Sequence, residues 1–212
     1  MPDLSPPKRS TYRHGDLHHA LIAAGTELAR AGGPDAVVLR EATRRVGVAP
    51  NAAYRHFADR RALLEAVCSA AQSLLAVAIE NELATVPTAG DPAEVARARL
   101  RAVGTGYLRF AQTEPGLFRT AFSVPRDLDK VGDPARAGAS GLSPFLLLGS
   151  VLDELVEAGA LPKERRPAAG FVAWSSVHGL AMLRIDGPLR ALDKKTTRAI
   201  TERLLDMVEQ GL

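Results

Sequence analysis

The chain has 212 residues, of which 46% are hydrophobic and 24% charged, with a formal net charge of +3; this is ordinary globular composition and excludes the disordered, collagen-like and membrane classes. Cys68 is the single cysteine, which excludes an intramolecular disulfide and a cysteine-based metal cluster. The longest apolar runs, at 74–79 and 145–148, fall far short of the roughly 18 residues of a membrane span, and no signal-peptide core follows 1–10, so a cytoplasmic chain with no membrane partner is expected.

Proline and glycine divide the sequence into helix-length pieces in which apolar residues recur at spacings of three and four, and no segment alternates as a strand would. The fold class expected is all-α. After a disordered arm at 1–11, Asp16 caps a first helix that carries Leu17, Leu21, Ile22 and Leu28 and ends at Gly32, Gly33 and Pro34. A second helix over 39–46 stops at Gly47, a residue suited to the left-handed conformation that follows a helix end. Pro50 then opens a third helix.

From Arg60 to about Ala84 a stripe through Leu63, Val67, Ala71, Leu75 and Ile79 predicts a connecting helix of about 24 residues, or ~36 Å. Further helices are expected at about 93–112, 117–122, 144–158, 167–186 and 194–210. Between them, 124–141 is rich in proline, glycine and charge and reads as a mobile loop.

Charge is unevenly placed along this framework. Residues 1–65 hold ten Lys and Arg against seven acids, whereas 66–212 are neutral overall. His14, His18, His19 and His56 share the basic third, which points to a polyanion-facing module joined to a neutral one. Within the basic module, two short helices separated by Gly47, Val48 and Ala49 have the spacing of a helix-turn-helix, whose second helix enters the DNA major groove.

At about 100° per residue, Ala53 and Phe57, with Pro50 near them, face inward against Leu39, Ala42, Val46 and Val48. Asn51, Ala52 and Arg55 face outward, and Tyr54 and His56 flank that arc. Asn and Arg carry the hydrogen-bonding groups suited to adenine and guanine edges. Arg40, Arg60, Tyr54 and His56 are then candidates for positioning contacts to phosphate. A bland alternative is an exposed helical hairpin whose Tyr54 and His56 only satisfy local hydrogen bonds.

Two runs in this module narrow the choice: Arg40-Glu41-Ala42-Thr43-Arg44-Arg45-Val46-Gly47-Val48, and Ala53-Tyr54-Arg55-His56-Phe57-Ala58-Asp59-Arg60-Arg61-Ala62-Leu63-Leu64. Together they resemble the DNA-binding domain of TetR-family transcriptional regulators, including the Tyr-x-His-Phe core. Tyr12-Arg13-His14-Gly15-Asp16-Leu17 is similar to the run that opens the first helix in one branch of that family. The resemblance covers about 12–67 and implies a three-helix DNA-binding domain over that span. Three departures matter. Val38 and Ala49 stand where a hydroxyl residue often caps a helix, Arg60 stands where a lysine commonly binds phosphate, and Ala52 replaces a frequent hydroxyl. The last shifts base readout onto Arg40, Asn51 and Arg55.

Seven of the ten aromatics, among them Tyr107, Phe110, Phe118, Phe122, Phe145 and Trp174, fall between 107 and 174. They are candidates either for plain core or for the wall of an apolar pocket. The pattern Tyr107-x-x-Phe110-Ala111, Pro115-x-Leu117-Phe118-Arg119, and Trp174-x-x-Val177-His178-Gly179-Leu180-Ala181 resembles a C-terminal effector domain of the same family, marked by a Trp-to-His-Gly motif. The resemblance implies a homodimer and an unknown small-molecule effector bound over 68–212, with Tyr107, Phe110, Phe118, Phe122, Phe145, Trp174, His178 and Met182 as candidate pocket residues.

His178 shares a helical face with Trp174 and also reads as a core histidine bonded to backbone. No second metal ligand stands at a suitable spacing, so neither a metal nor a cofactor is expected. Phe171, Val177 and Leu180 on one helix, with Ile200, Leu204 and Val208 on the last, are candidates for a four-helix dimer interface. Nucleophile-elbow, phosphate-loop, dinucleotide and zinc-protease motifs are absent, which argues against an enzyme. The expectation is a ligand-responsive regulator, most simply a repressor, that binds a near-palindromic operator on double-stranded DNA as a dimer. An alternative keeps the DNA module and gives the C-terminal part only dimerisation or a protein partner.

Overall fold

In a computed structural model, residues 14–125 and 132–212 are described and carry nine α-helices. The expected arm at 1–11, Tyr12 and Arg13, and the part of the expected loop at 126–131 lie outside the described residues, as do the side chains of His14 and Asp16. The helices are α1 (His14–Gly32), α2 (Leu39–Val46), α3 (Pro50–Ala53), α4 (Arg60–Leu83), α5 (Pro92–Thr113), α6 (Pro115–Ala121), α7 (Pro144–Glu157), α8 (Arg166–Ile185) and α9 (Lys194–Gly211). Short 3₁₀ turns stand at Pro34–Ala36, Pro134–Arg136 and Pro188–Ala191.

Local chemistry sets these boundaries. Asp59 caps α4 by accepting a hydrogen bond from Ala62 N at 2.8 Å, Asp91 caps α5 through Glu94 N at 3.1 Å, and Asp193 caps α9 through Thr196 N at 2.9 Å. Each satisfies one of the amides that a helix start leaves without a partner. α1 begins at His14, which places Asp16 inside the first turn instead of at the cap. α6 begins at Pro115, earlier than the apolar pattern indicated, because proline tolerates the first helical position where no amide donor is needed. Gly47 ends α2 in the left-handed region at φ 75°, with Val48 N bonded to Thr43 O at 3.0 Å.

α4 organises the packing: it lies against α1 on one side of the chain and against α5, α6 and α7 further along. Leu63, Val67, Ala71, Leu75, Ala76 and Ile79 of this helix are completely buried, and they join one continuous hydrophobic core that runs from Leu17 to Val208. By length and composition alone α4 could cross a membrane; its burial between other helices accounts for that composition. The expected domain boundary at 67/68 falls inside this helix.

The described part of the 124–141 segment is anchored to α4. Ser73 Oγ donates to Ala137 O at 2.6 Å, and the Glu80 carboxylate accepts from Ala139 N at 2.8 Å and Ser140 N at 2.9 Å, and from the Ser140 hydroxyl. Burial pushes the Glu80 carboxyl up, and these hydrogen bonds outweigh it and hold the group below its usual range.

Phe118 on α6 is fully buried and meets Tyr107 edge-on at 5.3 Å between ring centroids. Phe118→Ala should cost ~3–5 kcal/mol through lost transfer energy and a residual cavity, measured as the drop in unfolding free energy in a urea titration.

Candidate functional site

Two sites emerge, one at each end of α4. The first is the surface around α3. Ala53 and Phe57 are buried against Leu39 and Ala42, and Val46, Val48 and Ala52 pack at the edge of that cluster. Burying this face leaves Pro50, Asn51, Tyr54 and Arg55 exposed and His56 half-buried. Tyr54 is 57% exposed, a large value for an aromatic without a partner to cover it. Regular helix covers only Pro50–Ala53, and a turn continues through His56, whose N bonds to Ala53 O at 2.9 Å.

Neither Val38 nor Ala49 supplies a side-chain cap. Arg40 is exposed on α2, while Arg44 and Arg45 both face Glu41, at 2.6 Å and 3.7 Å. His18 stacks on Phe57 at 4.9 Å. Burial, then His19 and His56, push its pKa down, which favours the neutral ring behind the exposed turn.

Arg60 is exposed, and part of its guanidinium is engaged within the domain. Its Nε donates to Val37 O at 2.8 Å and its Nη2 to Pro34 O at 2.7 Å. The guanidinium thus ties the start of α4 to the turn before α2. This makes Arg60 a strut that fixes the angle between α4 and the reading surface. The fork geometry of the guanidinium suits it to two carbonyls at once.

The second site is a cavity of about 360 Å³ lined by α4, α5, α7, α8 and α9 together with residues 121–125, Arg136 and Ser143, within the roughly 300–1,000 Å³ usual for small-molecule sites. Of the candidates from sequence, Tyr107, Phe122, Phe145, Trp174 and His178 line it. Phe118 and Phe110 are buried in the core behind it, and Met182 is half-buried outside the wall. Sequence reasoning missed Gln72, Arg101, Arg136 and Leu148, which also line it. The turn Asp133-Pro134-Ala135-Arg136, with an Asp cap and a proline, was the available signal for Arg136.

A polar chain crosses this apolar wall. Trp174 Nε1 donates to Tyr107 Oη at 3.1 Å, and Tyr107 Oη lies 2.7 Å from His178 Nδ1. Indole is a donor only, so the tyrosine hydroxyl accepts from it and donates its own proton to Nδ1. Tyr107 has no other acceptor among the described residues. In that arrangement the bond favours the His178 tautomer that carries its proton on Nε2. Burial raises the Tyr107 pKa and lowers that of His178, so both remain neutral. The histidine partner is therefore a side chain on α5, not backbone.

Of the candidate dimer residues, Val177, Leu180 and Val208 are buried within the protomer, Ile200 and Leu204 are half-buried, and Phe171 is exposed. Val172, Leu183 and Met207 are exposed beside them on the same two helices.

His178 yields a pH test. The unfolded chain takes up a proton at this residue near its ordinary pKa of 6.5, and the folded chain does so only at lower pH. Acidification from about pH 7 to pH 5 therefore removes stability from the native state. His178→Gln lacks this linkage. The Tm advantage of the wild-type chain over the variant should shrink across that window, and a gap that stays constant or widens contradicts the assignment.

Comparison with known proteins agrees with this geometry. Residues 21–67 match the family described as bacterial regulatory proteins, tetR family, and 100–208 match the tetracyclin repressor-like C-terminal domain. The class A tetracycline repressor protein from transposon 1721 of Escherichia coli is 30% identical over 206 residues, covering 92% of this chain and 89% of that one. Among solved structures, a protein of unknown function from Rhodococcus sp. RHA1 superposes with a TM-score of 0.72 at 25% identity, over 96% of this chain and 99% of that one. A TetR-family transcriptional regulator from Pectobacterium atrosepticum gives a TM-score of 0.62 at 20% identity, over 96% of each chain. With a helix-turn-helix at one end and a tetracyclin repressor-like domain at the other, the chain belongs to the TetR family of DNA-binding transcriptional regulators and is not an enzyme.

Proposed function

We propose that the protein is a repressor that binds a near-palindromic operator as a homodimer and is released by a small, largely apolar effector held in the α4–α9 cavity. The observation that carries this reading is the pairing of the two sites on one helix. α4 begins at the strut that fixes the exposed α3 surface and further along contributes Gln72 and Ile79 to the cavity wall. Residues 12–67 act as the reading unit and 68–212 as the effector and dimerisation unit, in the cytoplasm where DNA is accessible.

On DNA, Asn51 and Arg55 meet base edges, with Pro50, Ala52, Tyr54 and His56 closing the contact against the backbone and Arg40 adding charge from α2. Two such surfaces must sit ~34–36 Å apart to occupy successive half-sites. The exposed apolar residues of α8 and α9, Phe171, Val172, Leu183 and Met207, support a dimer built on those helices.

Release follows if the effector favours a different seating of α4. A route beside α4 is also present: Gly116, at the start of α6, approaches α1 so closely that a Cβ there would collide with the carbonyl oxygens of Ala29 and Arg30. Arg30 also bonds Glu114 at 3.0 Å. A coupling of ~1–3 kcal/mol between effector and operator is enough to weaken DNA binding about 5- to 150-fold.

Selection from a random double-stranded DNA pool at two salt concentrations tests the reading, because specific and phosphate-driven binding respond differently to salt. Enrichment of a two-fold symmetric sequence is expected; no enrichment and no affinity at either salt would overturn it. On the selected site, Arg55→Ala should cost ~1–3 kcal/mol and relax sequence preference. An equal loss on every DNA sequence would make Arg55 a phosphate contact instead.

A further inference from the structure

The hydrogen-bond chain in the cavity wall has a direction, set by its first member. An indole nitrogen only donates, so Trp174 Nε1 gives its hydrogen to Tyr107 Oη at 3.1 Å, and the hydroxyl gives its own to His178 Nδ1 at 2.7 Å. With a proton on Nδ1 instead, the hydroxyl would face two donors and its own hydrogen would have no acceptor among the described residues. That state is costly for a side chain only 4% exposed.

The favoured chain therefore ends in an N–H. Among the described residues, Nε2 of His178 has no hydrogen-bond partner. The half-buried ring lines the cavity, with Phe122 at 4.8 Å and Trp174 at 6.0 Å between ring centroids. From these placements we infer that the effector is an uncharged, largely apolar molecule with a carbonyl oxygen, as in a ketone, ester or amide. The oxygen accepts from His178 Nε2–H, and the body packs on Phe122, Phe145 and Trp174. The inference rests on the proposed effector cavity and names the chemical class that the cavity takes.

A neutral acceptor suits this donor better than an anion does. One N–H satisfies one carbonyl oxygen, whereas a carboxylate brings about four lone-pair sites and the desolvation cost of a full charge. The arginines that line the wall already have carboxylates beside them: Asp206 and Glu209 at Arg101, and Asp133 at 3.7 Å from Arg136. A hydrogen bond given by Nε2 also makes Nδ1 a better acceptor, so the ligand strengthens the Tyr107 bond and with it the link between α5 and α8.

Trp174 is the only tryptophan and lines the cavity, so its emission reports binding there. Three probes share one body and differ at the end group: 5-phenylpentan-2-one, its isosteric alkene 2-methyl-5-phenylpent-1-ene, and 4-phenylbutanoate. In the wild-type chain the ketone should bind about tenfold or more tightly than the carboxylate. His178→Phe should lower the affinity for the ketone relative to the alkene by about tenfold, whereas His178→Gln, which still offers an N–H, should retain part of the preference. Nitrogen NMR of the histidine rings in the wild-type chain should show His178 protonated on Nε2, with a larger Nε2 shift on adding the ketone than on adding the alkene.

A carboxylate that binds best, or a ketone-to-alkene ratio unchanged in His178→Phe, would overturn the inference while leaving the cavity as an effector site. A His178 ring protonated on Nδ1, or an Nε2 that the ketone leaves unmoved, would overturn it as well, and this wild-type measurement stands even if a variant fails to fold. Failure of all three probes to alter Trp174 emission up to their solubility limits would overturn both the inference and the effector reading on which it rests.

Discussion

Burial of α4 along its length constrains both halves of the molecule at once. Near its start, Leu63 and Val67 close the core beneath the reading surface, and further on Leu75 and Ile79 close the core beneath the cavity. These side chains occupy a close-packed interior with few voids, so neither core can rearrange without moving the shared helix. A helix is also stiff along its axis, since each added residue brings a hydrogen bond to a structure already nucleated. The result is a rod whose two ends are fixed by different chemistry: Asp59 and Arg60 at one end, and the Ser73 and Glu80 anchors towards the other.

Aromatic rings from α5, α7 and α8, with Phe122 just past α6, line the cavity, and two of the contacts among them are edge to face. Phe122 meets His178 at 4.8 Å and 71°, and Phe145 meets Trp174 at 5.7 Å and 69°. Such arrangements satisfy the ring quadrupoles. Within that wall the Trp174–Tyr107–His178 chain is satisfied internally, and so it incurs little of the penalty of an unpaired buried polar group. The same chain favours the His178 tautomer that is protonated on Nε2.

Much of this was legible in the sequence because helix periodicity, proline and glycine act locally. Ala53 and Phe57 were placed inward by their spacing alone, and Gly47 was placed at a helix end by its freedom to adopt φ 75°. What was hidden depends on contacts between segments far apart in the chain. Arg60 reads as a phosphate contact, and its added bonds to the carbonyls of Pro34 and Val37 come from a segment 23 to 26 residues away. Phe110 and Phe118 share the spacing of the cavity aromatics but point into the core, a distinction set by how α5 and α6 cross. Arg136 lies in a stretch whose composition signals a loop, and only the α4 anchors reveal that the loop carries a buried cation.

The contact between α6 and α1 gives the fold a second constraint that side-chain chemistry alone could not supply. At Gly116 the approach is between main chains, with the carbonyls of Ala29 and Arg30 where a Cβ would stand. Main-chain atoms have no rotamers with which to relieve a clash, so the two helices meet here without slack. α6 ends at Ala121, which lines the cavity, and Phe122 follows directly in the wall. The cavity wall is thus joined to the reading domain by two connections, one through the loop bonded to α4 and one through α6 packed on α1. α1 and α4 also pack on each other, so both connections end on the same pair of helices beneath the helix-turn-helix.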